Sequence, residues 1–341
     1  MSRKVELPLG TPFYTTYHFQ GLSGAVSPHT QNVRNWYLNE SVQLNCNKIF
    51  LYGFSSPHLT IDRSSWTWYP HFDKYIYPTR FLDDNTVLRL ICQLLDHGYY
   101  VNFDGVDDYY LEGKTWYHER HFCHDGLIYG YDEAAGTFDV FAYDQNWLYT
   151  CFQIRWDSFL AGRASMTEQG LYGTVCGVKP KDVCVEVDPQ KIDCNLQSYL
   201  ASAEDGIRSD GPGEVSGVVV HQYVMRYLDR LYQGAIPYDK MDWRVFHVIW
   251  EHKRFMLERI RKAEAIALPG NAEFGDRYLA VVRMAEQMKG MYAVHHRKRR
   301  DFVLPGIKDL LVRVDSAEKE ILQAFLLALE KTKIIRGGNE E

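Results

Sequence analysis

Residues 84–97, DNTVLRLICQLLDH, carry apolar side chains at Val87, Leu90, Ile91, Leu94 and Leu95, the spacing of one helical face, and Gly98 ends the run. An earlier helix is predicted from Pro28, because Ser27 is a good N-cap and proline suits the first helical position. Its body, TQNVRNWYLNESVQL, turns Val33, Trp36 or Tyr37, and Leu44 inward. Beyond Gly98 the pattern changes. YYVNFD (99–104), GLIYGYD (126–132), FDVFAYD (138–144) and TCFQIRW (150–156) are rich in β-branched and aromatic residues and predict strands. DEAAGT, with Gly136, joins two of them as a hairpin, and GTVCGVKP (173–180) supplies a strand to close the sheet. Helices followed by an antiparallel meander define an α+β domain over residues 1–188.

From residue 189 the pattern is helical. Candidates are 215–233, 242–267, 272–296 and 306–334, punctuated by Pro237, Pro269-Gly270 and Pro305-Gly306. Trp243, Phe246, Ile249, Trp250, Leu257 and Ile260 keep one apolar face, and the last helix repeats the pattern, so residues 189–341 are read as an all-α antiparallel bundle. Residues 202–217, rich in Gly, Ser and acidic groups, read as a mobile loop.

Composition narrows the function classes. Hydrophobic residues make up 46% and charged residues 24%, the balance of a soluble globular protein. No apolar run reaches the length of about 18 residues expected of a membrane span, and the N-terminus lacks a signal-like apolar segment, so a cytoplasmic protein without membrane partners is expected. Seven scattered cysteines without a CxxC pair argue against a disulfide framework and a zinc site. His121, His124 and Asp125, with His118 nearby, suggest a metal site, but H-x2-H-x2-H does not suit one face and no carboxylate pattern completes it. No phosphate-binding glycine loop is present, so no nucleotide cofactor is implied. The 24 tyrosines and eight tryptophans suit a thick core or a cleft walled by rings, and both readings stay open. Net charge is −6; residues 251–300 nevertheless hold 12 basic and 6 acidic residues. The cluster HHRKRR (295–300) reads as a solvated helix end rather than a nucleic-acid site, and the local excess would steer an acidic protein partner.

The candidate chemistry centres on HDGLIYGYD. His124 opens one strand of the hairpin, and the next strand ends in Tyr-Asp-Gln-Asn, which sets Asp144 or Asn146 beside it. A carboxylate there would fix the imidazole tautomer and stabilise its cation, as a general base in acyl transfer requires. A histidine and an aspartate on a hairpin also have a purely structural reading. H-x5-G-Y-D followed by a strand ending in Asp or Asn resembles the bacteriocin-processing peptidases. It resembles still more the butirosin biosynthesis protein H N-terminal domain family, over residues 12–180. The helical segments QSYLAS, HQYVMRYLDRL and DWRVFHVIWEHKRFMLERI are similar to extensions found beside such domains in specialised-metabolite clusters. The resemblance implies a papain-like fold that transfers acyl or peptidyl groups from a phosphopantetheine-bearing carrier protein to an amine acceptor, or cleaves the same bonds. It gives His124 the role of base and Asp144 that of orienting group.

The family heads its first long helix with a cysteine nucleophile, where the helix dipole lowers the thiol pKa. The corresponding stretch here, QGLSGAVSPHTQNVRNW, holds none. Ser27 is the replacement, with Ser23 behind it, and Gln20 stands near the position of an oxyanion donor. Ser27 is equally explained as a helix cap. A third reading dispenses with the covalent step and leaves His124 to deprotonate an amine that attacks the thioester. The alternative from another class is a catalytically silent protein that keeps the fold to bind a carrier domain or metabolite.

Overall fold

The computed structural model describes residues 2–26, 30–53, 55–62, 70–204, 213–270 and 273–337. From the N-terminus run β1 (Lys4–Glu6), α1 (His18–Ala25), α2 (Thr30–Glu40), β2 (Leu44–Asn47), α3 (Ile49–Tyr52) and β3 (Leu59–Ile61). The middle supplies β4 (Phe72–Pro78), α4 (Asp84–Asp96), β5 (Tyr100–Asp107), β6 (Cys123–Asp132), β7 (Thr137–Tyr143), β8 (Tyr149–Arg155), α5 (Trp156–Glu168) and β9 (Thr174–Pro180). The last part holds α6 (Pro189–Ala201), β10 (Ala203–Glu204), β11 (Glu214–Ser216), α7 (Val220–Tyr232), α8 (Val245–Ala267), α9 (Glu273–Lys298) and α10 (Leu304–Gly337). The architecture is α+β with antiparallel sheets. The chain divides into two compact units, residues 1–33 with 64–184 and residues 34–63 with 185–341.

In the first unit the expected meander forms, in the order β5-β6-β7-β8. The β6–β7 hairpin closes at Asp132↔Thr137, with Gly136 in the left-handed region at φ 63°. β9 does not extend the meander beyond β8. It crosses to the other side and lies between β5 and β4, because α5 intervenes and carries the chain back across the sheet. Helix α4 forms as its periodicity predicts, with Asp83 accepting the Thr86 N–H at 2.8 Å as N-cap. Val87, Ile91 and Leu95 of α4 and Phe159 of α5 pack with Val101, Phe103, Ile128 and Val140 in one core. Alternation along β6 and β7 sends Leu127 and Tyr143 to the opposite face, where α1 lies with His18 against Tyr143.

Three residues of the GYD motif have structural duties. A Cβ on Gly130 would stand 2.6 Å from the Val5 carbonyl oxygen, so only glycine lets β1 pair with β6 there. The Tyr131 hydroxyl donates to Asp96 at 2.8 Å, and Asp132 accepts the Ala135 N–H at 3.1 Å in the hairpin turn.

The second unit corrects the expected all-α tail. It includes a four-stranded antiparallel sheet, β10-β11-β2-β3, so Leu44 is a strand residue and the segment 34–63, read from sequence with the first domain, belongs here. Part of the stretch read as a mobile loop is strand, in β10 and β11; residues 205–212 lie outside the described residues. One physical reason for the division is Arg259 of α8, fully buried. Its guanidinium donates to the carbonyls of Leu38 at 2.6 Å, Tyr37 at 3.2 Å and Ser41 at 2.5 Å, capping the end of α2.

The helices of this unit meet on a sealed polar cluster. Lys253 of α8 donates to Glu318 of α10 at 2.7 Å, to the Tyr199 hydroxyl of α6 at 3.0 Å and to His252 Nδ1 at 3.2 Å, which uses its three ammonium protons. Glu318 also accepts from the hydroxyls of Tyr199, at 2.9 Å, and Tyr278 of α9. His221 of α7 stands 3.6 Å from the same carboxylate and donates on its other side to Asp315 at 3.0 Å.

Candidate active site

His124 lies near the start of β6, opposite Val106 near the end of β5. Its pairing partner is thus β5 and not β7, whose ladder with β6 reaches back only to Leu127↔Phe141. Beyond β5 the chain forms a short turn of helix, Asp108–Tyr110, and this geometry sets the site. Asp108 Oδ2 faces His124 Nδ1 at 3.2 Å. Lys114 Nζ stands 3.2 Å from the same nitrogen, 3.2 Å from the Asp125 carbonyl oxygen and 3.5 Å from Asp108 Oδ1. Lys114 and Asp108 are each only 2% exposed, whereas the His124 side chain is 23% exposed. A buried carboxylate and a buried ammonium therefore hold one edge of an imidazole whose other parts reach solvent.

Asp125, next in sequence, points to the α1 side of the strand. It accepts the Nδ1–H of His18, whose Nε2 in turn accepts the Tyr143 backbone N–H at 3.2 Å. Those two contacts fix His18 as a neutral tautomer. Burial pushes its pKa down to about 4, against the raising effect of Asp125. Burial alone would raise the Asp125 carboxyl; His18, and after it His124 and Lys114, hold it at about 2. His18 is therefore a fixed hydrogen-bonding post and not a base. Its ring stacks between Tyr143, at 4.7 Å, and His124, at 4.5 Å.

His18, His124 and Asp125 bring their donor atoms within 4.8 Å of one another. They do not fit a cation. Both nitrogens of His18 are spent, the two imidazoles stack nearly parallel at 29° instead of converging, and the Lys114 ammonium occupies the approach to His124 Nδ1. His121 is a separate pair. It bonds at 2.6 Å to Asp107, a fully buried carboxylate that also accepts from Ser165 at 2.7 Å and from the Phe122 N–H at 2.9 Å.

Asp144, expected to orient His124, is engaged in a turn instead, and the carboxylate beside His124 Nδ1 is that of Asp108. Asp144 Oδ1 accepts the Asn146 N–H at 2.8 Å and the Leu148 N–H at 2.9 Å, closing the β7–β8 turn. Its carbonyl oxygen accepts the Thr115 hydroxyl at 2.8 Å. Asn146 is exposed in the same turn, its amide 3.5 Å from Asp144 Oδ2. Gln20 and Ser23 are buried inside α1, which the sequence did not predict, and Ser23 donates its hydroxyl to the Gln20 carbonyl at 3.0 Å. Ser27 and Pro28 lie outside the described residues. Lys114, Asp108 and Asp125 bring polar atoms within 4 Å of the His124 nitrogens, and the His18 imidazole stacks on the ring.

Of this cluster only His124 is a catalytic candidate from sequence, and Asp125 is weighed there only as a metal ligand. Asp125 had a signal, its place beside His124 on a strand. Asp108 and Lys114 had none, since their meeting with His124 depends on the turn after β5. Compared with known proteins, the chain matches no family model and no curated sequence.

Proposed function

We propose that the first unit is a papain-like acyl- or peptidyltransferase in which His124 is the general base and Asp108 its orienting carboxylate. The substrate is an acyl or peptidyl group held as a thioester on the phosphopantetheine arm of a carrier protein, and the acceptor is an amine of specialised metabolism. The observation that carries this reading is the buried Asp108 carboxylate 3.2 Å from Nδ1 of a partly exposed imidazole. In the tautomer this route needs, Nδ1 carries its proton towards Asp108, Lys114 is left to the Asp125 carbonyl oxygen and Asp108 Oδ1, and the lone pair stands on Nε2. Nε2 takes a proton from the attacking amine, the new C–N bond forms as the C–S bond breaks, and the imidazolium returns the proton to the departing thiolate. A thioester is activated enough for this direct route. The second reading is a silent domain that binds carrier or metabolite without turnover; Lys114 Nζ, a donor 3.2 Å from the nitrogen that the transferase route needs protonated, favours it.

Incubating an acyl-loaded carrier protein with primary amines and weighing the products by intact mass separates the two. Transfer is expected, and His124→Ala should slow it by about 10²–10⁴-fold. Transfer at the parental rate in His124→Ala would remove His124 from the mechanism, and no transfer with any amine would favour the silent domain. Transfer lost in Ser27→Ala, with the fold intact, would replace the direct route by a covalent one.

A further inference from the structure

Six rings, His124 among them, form a closed circuit of neighbours. His124 lies 5.3 Å from Phe122, Phe122 lies 6.3 Å from Trp116, and Trp116 lies 6.1 Å from Trp147. Trp147 is then 6.2 Å from Tyr143, and Tyr143 returns through His18 to His124 at 4.7 Å and 4.5 Å. His18 and Tyr143 are buried, Phe122, Trp116 and His124 are half-buried, and Trp147 is 41% exposed beside Leu148 at 62%. Trp147 also holds φ at 60°, a left-handed conformation that a bulky side chain rarely adopts. The Asp144 turn enforces it, so the fold keeps an unfavourable backbone in order to stand an indole at the rim.

Charge decides what such a ring of aromatic faces would accept. Aromatic cages commonly recognise cations. Here the Arg120 guanidinium already lies over Trp116, at 5.4 Å, and Phe122, at 5.9 Å, and the Lys114 ammonium stands beside His124. A cationic guest would find Arg120 already over Trp116 and Phe122, and the Asp108 and Asp125 carboxylates already engaged by Lys114 and His18. A neutral apolar group would meet the exposed surface of Trp147 and Leu148 on the outer side of the circuit. We propose that this circuit seats the acyl part of the substrate, and that the acyl group is therefore aromatic or long-chain apolar and not acetyl-sized or cationic. The inference rests on His124 acting on a thioester; its test does not require turnover.

The N-ethylamides of phenylacetic, octanoic and acetic acids lack a thiol leaving group and report binding alone. Dissociation constants are measured by ligand-observed NMR on the full chain. Phenylacetyl and octanoyl amides are expected to bind at least tenfold more tightly than the acetyl amide, and Trp147→Ala to remove most of that preference without changing the far-UV circular dichroism. Equal affinity for the three amides, an unchanged preference in Trp147→Ala, or tighter binding of tetramethylammonium would overturn the proposal. Preference for the larger amides together with absence of acyl transfer would leave the seat standing and defeat the transferase reading. Transfer of acetyl as fast as of phenylacetyl, with no preference in binding, would do the reverse.

Discussion

The Lys253–Glu318 cluster of the second unit and the Lys114–Asp108–His124 cluster of the first are built from the same kinds of side chain, and only one of them is closed. In the sealed cluster Lys253, Glu318 and His221 are 0% exposed, each ammonium proton has an acceptor, and the charges of Lys253 and Glu318 cancel. Nothing remains to be gained by moving a proton. In the open cluster the Lys114 cation faces two carboxylates, Asp108 and Asp125, so a proton arriving on His124 brings the group to neutrality. Of the two, only the open group has a member that reaches solvent, which is why the proposed chemistry is assigned to it and a structural role to the sealed one.

The sharpest way to break this comparison is to damage the sealed cluster. Burial alone would raise the Glu318 carboxyl, and Lys253, with His221 and His252, holds it down at about 2. Glu318→Leu would leave the Lys253 ammonium buried without its counter-ion. We expect a loss of about 3–5 kcal/mol in chemical denaturation. Glu318→Leu combined with Lys253→Met should recover most of that loss, since an apolar pair of similar volume needs no compensation. A double variant as unstable as the single one would mean that the hydroxyls of Tyr199 and Tyr278, and not the ion pair, carry the energy.

Acid sharpens the contrast from the side of the open cluster. His18 has a folded pKa of about 4, below its ordinary value of 6.5. Between those values the unfolded chain binds a proton that the folded one refuses. Its contribution is therefore present above pH 6.5 and is lost as the pH falls towards 4, amounting to about 3 kcal/mol. Asp125, held at about 2, adds a further loss below its ordinary value. His221 and His252 of the sealed cluster are also pushed down by burial and act in the same direction. Urea denaturation at pH 7, 5.5 and 4 should show the decline, and His18→Gln should flatten it without abolishing it. An unchanged slope in that variant would mean that His18 is not buried neutral.

The sequence was informative where burial follows a period. Helix α4, the strands β5 to β9 and the long helices α8 to α10 lie within a few residues of their apolar patterns. Helix α5 escaped because its buried face includes Ser158 and Gly162, and a Cβ on Gly162 would stand 2.8 Å from Val106. Small residues chosen for close approach leave no hydrophobic stripe. Helix α1, HFQGLSGA, has two glycines and no side-chain cap, so nothing local announces it. The site failed for a related reason. Counting back from Leu127↔Phe141 sets Asp144 opposite His124, but the first residues of β6 turn to β5, where the register shifts between Phe103 and Val106. A bulge is not visible as a pattern, and it moved the carboxylate partner from Asp144 to Asp108.

That exchange of partners is testable at a smaller scale. Asp144→Ala removes the acceptor of two backbone N–H groups and should cost about 1–2 kcal/mol. If Asp144 acts only through the turn, the loss in acyl transfer should stay near tenfold or below and show mainly as a raised KM. Asp108→Asn should instead lower kcat, because an amide no longer compels Nδ1 to carry the proton. A fall in kcat for Asp144→Ala as large as that for His124→Ala would restore the hairpin partner and displace Asp108.

The smallest expected effect separates the backbone of the rim from its indole. At φ 60° alanine pays about 1 kcal/mol that glycine does not. Both Trp147→Gly and Trp147→Ala lose the ring contacts with Trp116 and Tyr143, so those losses cancel between the two variants. Trp147→Gly should therefore be the more stable by about 1 kcal/mol, while the two bind the phenylacetyl amide equally weakly. Equal stabilities would mean that the turn relaxes out of the left-handed region once the indole is gone, so that the ring imposes the conformation and the Asp144 hydrogen bonds do not. Recovered binding in the glycine variant would assign the seat to the shape of the turn. The expected result assigns it to a side chain that the sheet unit holds at the rim of the His124 cluster against the preference of its own backbone.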